Sequence, residues 1–108
     1  MSDAQNEIDV YESRCFEKDL KKLPDSQLEI VEDEIEKIIE NPELDEQKKG
    51  DLAHLRVHKF RLGSQLALLG YAWVERKLEL YLLHLGSHEN FYTQMKKQRK
   101  ANLKLLDD

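Results

Sequence analysis

Residues 65–74 are apolar almost without interruption, while the segments on either side, 52–61 and 77–85, alternate apolar and polar residues. An alternating strand buries one face, whereas a strand apolar throughout must be covered on both and belongs in the middle of a sheet. Only Gly63-Ser64 and Glu75-Arg76 separate the three segments, so they predict an antiparallel meander with 65–74 at its centre.

Helical spacing dominates on both flanks of that meander. Phe16, Leu20 and Leu23 are spaced by four and three, and Pro24 stops the short helix they imply. Ser26 and Glu29 have capping-box spacing ahead of Leu28, Val31, Ile35 and Ile38, and the longer helix ends near Asn41 because Pro42 cannot continue it. Together they predict an αα-hairpin with one shared apolar seam. The β-branched and aromatic residues between Ile8 and Cys15 suggest a preceding strand. Residues 88 to about 100 return to helical spacing, with Ser87 as N-cap, Phe91 and Met95 inward, and Lys96, Lys97, Arg99 and Lys100 outward. The expected fold is α+β: an N-terminal strand and αα-hairpin packed on a small antiparallel sheet of about four strands, then a C-terminal helix. Residues 1–108 are read as one domain, with 1–7 and 101–108 as frayed tails.

Composition narrows the function classes. No apolar run approaches the roughly 18 residues of a membrane span, and Asp3, Glu7 and Asp9 give the N-terminus the wrong sign for a signal peptide, so a cytoplasmic protein with no membrane partner is expected. Cys15 is the only cysteine, which excludes an internal disulfide and a zinc site built on cysteines; it reads as a small apolar filler. The net charge of −5 hides an asymmetry, with residues 1–49 at −9 and residues 50–108 at +4. A local basic face can grip phosphates despite the acidic total, because screening acts over roughly 8 Å. The glutamates and aspartates of the longer helix, Glu29, Glu32, Asp33, Glu34, Glu36 and Glu40, mostly fall off its seam and read as a solvated face. Neither a Gly-x-Ser-x-Gly turn nor a phosphate-cradling glycine loop is present.

Candidate chemistry lies in the basic half. Period two along 52–61 puts Leu52, His54, Arg56, His58 and Phe60 on one side and Ala53, Leu55, Val57, Lys59 and Arg61 on the other. With Leu55 and Val57 buried against the helical hairpin, His54, Arg56 and His58 would project from the opposite face, a row able to hold a phosphodiester. At the start of the last helix, helical spacing joins His88, Tyr92, Lys96 and Arg99 in one polar stripe, beside backbone N–H groups suited to an anion. Histidine at such a place is a general acid or base candidate. No metal is expected. His54 and His58 would stand about 13 Å apart on one strand, and His84 and His88 straddle a strand end and a helix start, so neither His-x3-His pair converges on one ion.

These elements, in this order, resemble the RelE/ParE superfamily of bacterial type II toxins. The resemblance runs from about Val10 to Lys97 and rests on the Phe-x-Lys-Asp-Leu-x-x-Leu helix at 16–23, Asn41-Pro42, and Lys49-Gly50-Asp51-Leu52. Leu55-Arg56-Val57, Tyr71, Gly86-Ser87-His88 and Phe91-Tyr92 complete it. It implies a toxin that cleaves messenger RNA on the ribosome without metal or other cofactor, the ribose 2′-hydroxyl attacking the adjacent phosphorus and the 5′-oxygen leaving. Under it, His88 takes the acid/base role with His58 as counterpart, Arg56 clamps the phosphate and Tyr92 stacks on or positions a base. His54, Lys59, Arg61, Lys96 and Arg99 would add grip on the RNA. The implied partners are mRNA, the ribosome and a cognate antitoxin received on the basic half. The alternative within the superfamily is a non-catalytic inhibitor of DNA gyrase. The ribonuclease version requires Arg56 and His88 to open onto one hollow.

Overall fold

A computed structural model describes residues 8–107. Strand β1 (Asp9–Glu12) leads into α1 (Arg14–Lys21) and α2 (Asp25–Glu40), followed by β2 (Arg56–Leu62), β3 (Gln65–Val74) and β4 (Glu79–Ser87), then α3 (Phe91–Lys97) and α4 (Arg99–Asp107). The sheet order is β1-β4-β3-β2. The meander β2-β3-β4 is antiparallel with β3 inside, as its two-faced apolarity requires, while β1 adds in parallel along the outer edge of β4.

Each face of the sheet has its own helical layer and its own core. On one face Phe16, Val31 and Ile38 from the α1–α2 hairpin meet Phe60, Ala67, Leu69, Tyr71, Leu80, Leu82 and Leu85. On the other, Phe91 and Met95 from α3 meet Leu52, Leu55, Val57, Leu68, Ala72, Tyr81 and Leu83, with Leu105 and Leu106 of α4 at the margin. Burying a residue such as Leu68 or Phe91 contributes about 1.5–3 kcal/mol, so the two layers hold the sheet from both sides.

Several boundaries move for local reasons. Ser13 Oγ accepts the Phe16 N–H at 3.1 Å, which starts α1 at Arg14 and ends the N-terminal strand at Glu12 rather than Cys15. The capping box at Ser26 does not form: α2 begins two residues earlier, behind Pro24 as N-cap, with Asp25 in its first turn. Residues Gly50–Leu52 form a 3-10 turn, so His54 precedes β2 instead of belonging to it. The last helix begins at Phe91, not at 88, and Gln98 (φ −96°, ψ 4°) divides it from α4. Residues 101–107, expected to fray, belong to α4, where Asn102 is buried and Leu105 and Leu106 pack inward; the expected tail at 1–7 lies outside the described residues.

The β3–β4 ladder shifts register between Gly70 and Tyr71, and Phe91 and Met95 of α3 pack directly over Gly70. A Cβ there would stand 2.8 Å from Phe91 Cζ and 3.0 Å from Leu55 Cδ1, both in fully buried side chains. Gly70→Ala is therefore expected to cost about 1–3 kcal/mol through overpacking. Thermal denaturation checks it, each kcal/mol lowering the midpoint by about 4–8 °C in a domain of this size.

Candidate functional site

The register settles which side chains share a face. Residues directly paired in a ladder project to the same side. Arg56 pairs with Tyr71, His58 with Leu69 and Phe60 with Ala67, and those partners all belong to the core under the α1–α2 hairpin. Lys59 pairs with Leu68, which lies in the core under α3. The expectation that Leu55 and Val57 face the hairpin and leave Arg56 and His58 to solvent is thus reversed: Leu55 and Val57 pack under α3, and the hairpin covers the other set.

His58 is consequently a buried structural residue, only 7% exposed. Its Nδ1 lies 2.8 Å from Asp45 Oδ2 and its Nε2 2.7 Å from Glu34 Oε1, so both ring nitrogens are engaged by carboxylates. Tyr71 donates its hydroxyl to Asp45 Oδ2 at 3.2 Å, and Arg56 Nη1 donates to the Asp45 carbonyl at 2.6 Å. Burial raises the pKa of Glu34, but the hydrogen bonds from His58 and Lys37 outweigh that and leave it below the usual carboxylate value. Burial above all, with Asp45 beside it, pushes the Tyr71 phenol far up. Glu34 thereby leaves the solvated acidic face to which its spacing assigned it. Arg56 and His58 pin the loop after α2 to the sheet.

Arg56 and His88 do not share a hollow, so the ribonuclease version that clamps its phosphate with Arg56 is abandoned. Tyr71, the partner of Arg56, pairs with Leu82, and His88 lies six residues further along, roughly 20 Å down the strand direction. The transfer partnership of His88 with His58 fails for the same reason of face and burial. His54 is elsewhere again, half-buried beside Trp73, Arg76 and Leu106, its Nε2 enclosed without a hydrogen-bond partner.

Burial, and next the charge of Arg99, lower the His54 pKa from its ordinary 6.5. A histidine depressed in the folded chain makes the unfolded chain bind more protons just below that value. His54 therefore adds stability above a pH of about 6.5 that is lost on acidification. Chemical denaturation across about pH 7 to 5 should show His54→Gln losing less stability on acidification than the unmodified chain.

One group of exposed basic residues does gather. Lys59 and Arg61 alternate onto the α3 face of β2, paired with Leu68 and Leu66. Leu68 pairs in turn with Gly86, which sets the Lys59 backbone about 10 Å from Gly86 across two strand spacings. His88 stands one residue beyond the last registered pair, Ala67 with Ser87, at the row of Arg61 and Leu66. Lys59, Arg61 and His88 are exposed, and their side chains make no hydrogen bond or ion pair among the described residues.

Tyr92, in the first turn of α3, meets Phe91 edge-on at 5.2 Å, and Lys48 Nζ stands 5.6 Å from its ring centre, a cation–π contact that spacing gave no sign of. Lys96 is one turn on and exposed. Arg99 lies past the helix break and donates its Nε–H to the Asp51 carbonyl at 2.7 Å, so the stripe from His88 to Arg99 is interrupted at both ends. His88 sits in a turn ahead of a seven-residue helix, which removes the helix-start argument for an anion there.

Comparison with known proteins agrees with this architecture. The model of the ParE-like toxin of type II bacterial toxin-antitoxin systems matches residues 10–96. A comparison with curated protein sequences found no match. Among solved structures, the intact RelBE toxin-antitoxin complex of E. coli aligns with a TM-score of 0.64 at 18% identity, over 76% of this chain and 98% of that one. The RelBE2 toxin-antitoxin complex of Mycobacterium tuberculosis gives 0.59 at 20%, over 75% and 98%. The YoeB/ParE toxin of Agrobacterium tumefaciens gives 0.62 at 17%, over 75% and 99%. At such identities the structures speak for the fold, and the family match over most of the chain supplies the rest: this protein belongs to the ParE-like toxins of the RelE/ParE superfamily and is the toxin of a type II toxin-antitoxin system.

Proposed function

We propose that the toxin cuts messenger RNA on the ribosome, using the α3 face of the sheet rather than the hairpin face. The observation that carries this reading is the register: Lys59 and Arg61 lie on the α3 face of β2, Lys59 in the row of Leu68 and Gly86, and His88 follows two residues after Gly86 in the turn that leads to Tyr92 and α3. A transesterification of the ribose 2′-hydroxyl onto the adjacent phosphorus needs charge stabilisation at the phosphate and a group that moves a proton. Lys59 and Arg61 supply the first. His88 is the exposed proton carrier at this face and serves as acid or base. Tyr92 offers an aromatic edge to a base, and Lys96 lies where it can hold a neighbouring phosphate. Arg56 and His58, which the resemblance placed in the reaction, hold the fold instead, and His54 and Arg99 take no part in contacting RNA.

Its setting is the cytoplasm, and its natural inhibitor is a cognate antitoxin, consistent with neighbours that are themselves toxin-antitoxin complexes. The basic half, at +4, suits an acidic segment of that partner. Purified toxin added to translating ribosomes should cut the message and leave gyrase supercoiling untouched. Inhibition of gyrase with an intact message would replace this reading by the non-catalytic one.

A further inference from the structure

Three ligand-bearing side chains meet on the edge of the sheet, away from the basic face. Past the end of β1, α1 runs along β4 and brings Cys15 and Asp19 to His84. Cys15 Sγ is 3.3 Å from His84 Nδ1, Asp19 Oδ2 is 2.8 Å from that nitrogen, and Sγ is 3.7 Å from Oδ2. A tetrahedral ion with bonds near 2.3 Å to sulfur and near 2.0–2.1 Å to nitrogen and oxygen spaces its ligand atoms roughly 3.3–3.6 Å apart. The observed triangle meets that spacing after shifts of about half an ångström or less.

A second observation concerns Gln98, at the junction of α3 and α4. Its Nε2 lies 3.0 Å from Cys15 Sγ, while its Oε1 is enclosed with no hydrogen-bond partner. Turning the amide over exchanges the two atoms and brings an oxygen to the same point. The donors are also held in place. The His84 ring stacks on Phe91 at 5.3 Å, and Gly86 leaves it room, since a Cβ there would stand 3.0 Å from Nε2. Asp19 Oδ2 accepts the Leu85 N–H at 2.9 Å. A cleft bounded by Ser13, Cys15, Lys18, Gln98 and Asn102 gives an ion a path in.

We propose that Cys15, Asp19 and His84, with Gln98 as fourth donor, form a binding site for a divalent cation of the zinc class. The mixed sulfur, nitrogen and oxygen set favours zinc or cobalt over magnesium or calcium. On binding, Cys15 gives up its thiol proton to solvent and coordinates as thiolate. His84 carries its proton on Nε2 and offers the Nδ1 lone pair, and Asp19 binds as carboxylate. The ion ties α1, β4 and the α3–α4 junction together, three parts of the chain that lie up to 83 residues apart. Cys15 is then a ligand and not an apolar filler. None of these four residues belongs to the proposed RNA face, so the two readings stand or fall separately.

Titration of the full-length chain with Co²⁺ tests the site. One ion per chain with near-ultraviolet thiolate-to-cobalt absorption is expected, displaced by Zn²⁺, with a thermal midpoint that rises with Zn²⁺ concentration. Cys15→Ser should lose the absorption and weaken Zn²⁺ binding by at least ~100-fold. In the unmodified chain, Zn²⁺ should slow alkylation of Cys15 at least tenfold, a readout that needs no variant. Absence of the absorption, equal Zn²⁺ binding by Cys15→Ser, or unprotected alkylation would overturn the proposal and assign any bound ion to groups outside this cluster.

Discussion

Replacing His88 by alanine should lower the rate of message cleavage by roughly 10²–10⁴-fold, the range that general acid-base catalysis contributes. The side chain is exposed and makes no hydrogen bond or ion pair among the described residues, so folding stability should change by no more than about 0.5 kcal/mol. Loss of growth arrest together with an unchanged melting curve is therefore the expected pair of results. A fully toxic variant would remove His88 from the reaction. The paired substitution Lys59→Gln with Arg61→Gln should act in the same direction through the phosphate. Loss of even one preorganised donor to a developing charge commonly costs 10²–10³-fold.

His58 should behave in the opposite way. His58→Gln takes away the imidazole whose two ring nitrogens bridge Glu34 and Asp45, and leaves those carboxylates, 15% and 22% exposed at their side chains, without the group they share. Breaking a buried pair on one side costs about 3–5 kcal/mol. For a chain of this length that is a fall of more than about 10 °C in the thermal midpoint. Adding Glu34→Gln removes one orphaned charge and should recover part of the loss, a coupling that a double-mutant cycle measures. Were His58 a reacting group, the single variant would keep its midpoint and lose activity.

The contrast between these two histidines shows how far spacing carries. Elements were legible because their signals are local: the apolar series Leu28, Val31, Ile35, Ile38 has one helical period, and 65–74 is apolar on both faces. Period two along β2 also separated Arg56 and His58 from Lys59 and Arg61 correctly. What it could not supply was the layer each set meets, because both faces of the sheet are covered by helices of similar amphipathic pattern. Taking Leu55 and Val57 as cover for the last helix, whose Phe91 and Met95 need a surface, puts Lys59 and Arg61 on the α3 face of the sheet. The partners of His58 lie 24 and 13 residues away, and those of His84 lie 65 and 69 away, so neither the buried histidine held between two carboxylates nor the cysteine-carboxylate cluster has a local signal. The final helix departs from its spacing at both ends for local reasons: the turn at 88–90 delays it to Phe91, and Gln98 splits it before α4.

Mapping RNA 5′ ends after brief expression tests the face assignment most directly. The unmodified toxin should produce new ends at defined positions within translated messages. The Lys59→Gln, Arg61→Gln pair and His88→Ala should each remove them, whereas Arg56→Lys, on the hairpin face, should leave the pattern in place. Ends that persist in the first two variants and vanish in the third would contradict it.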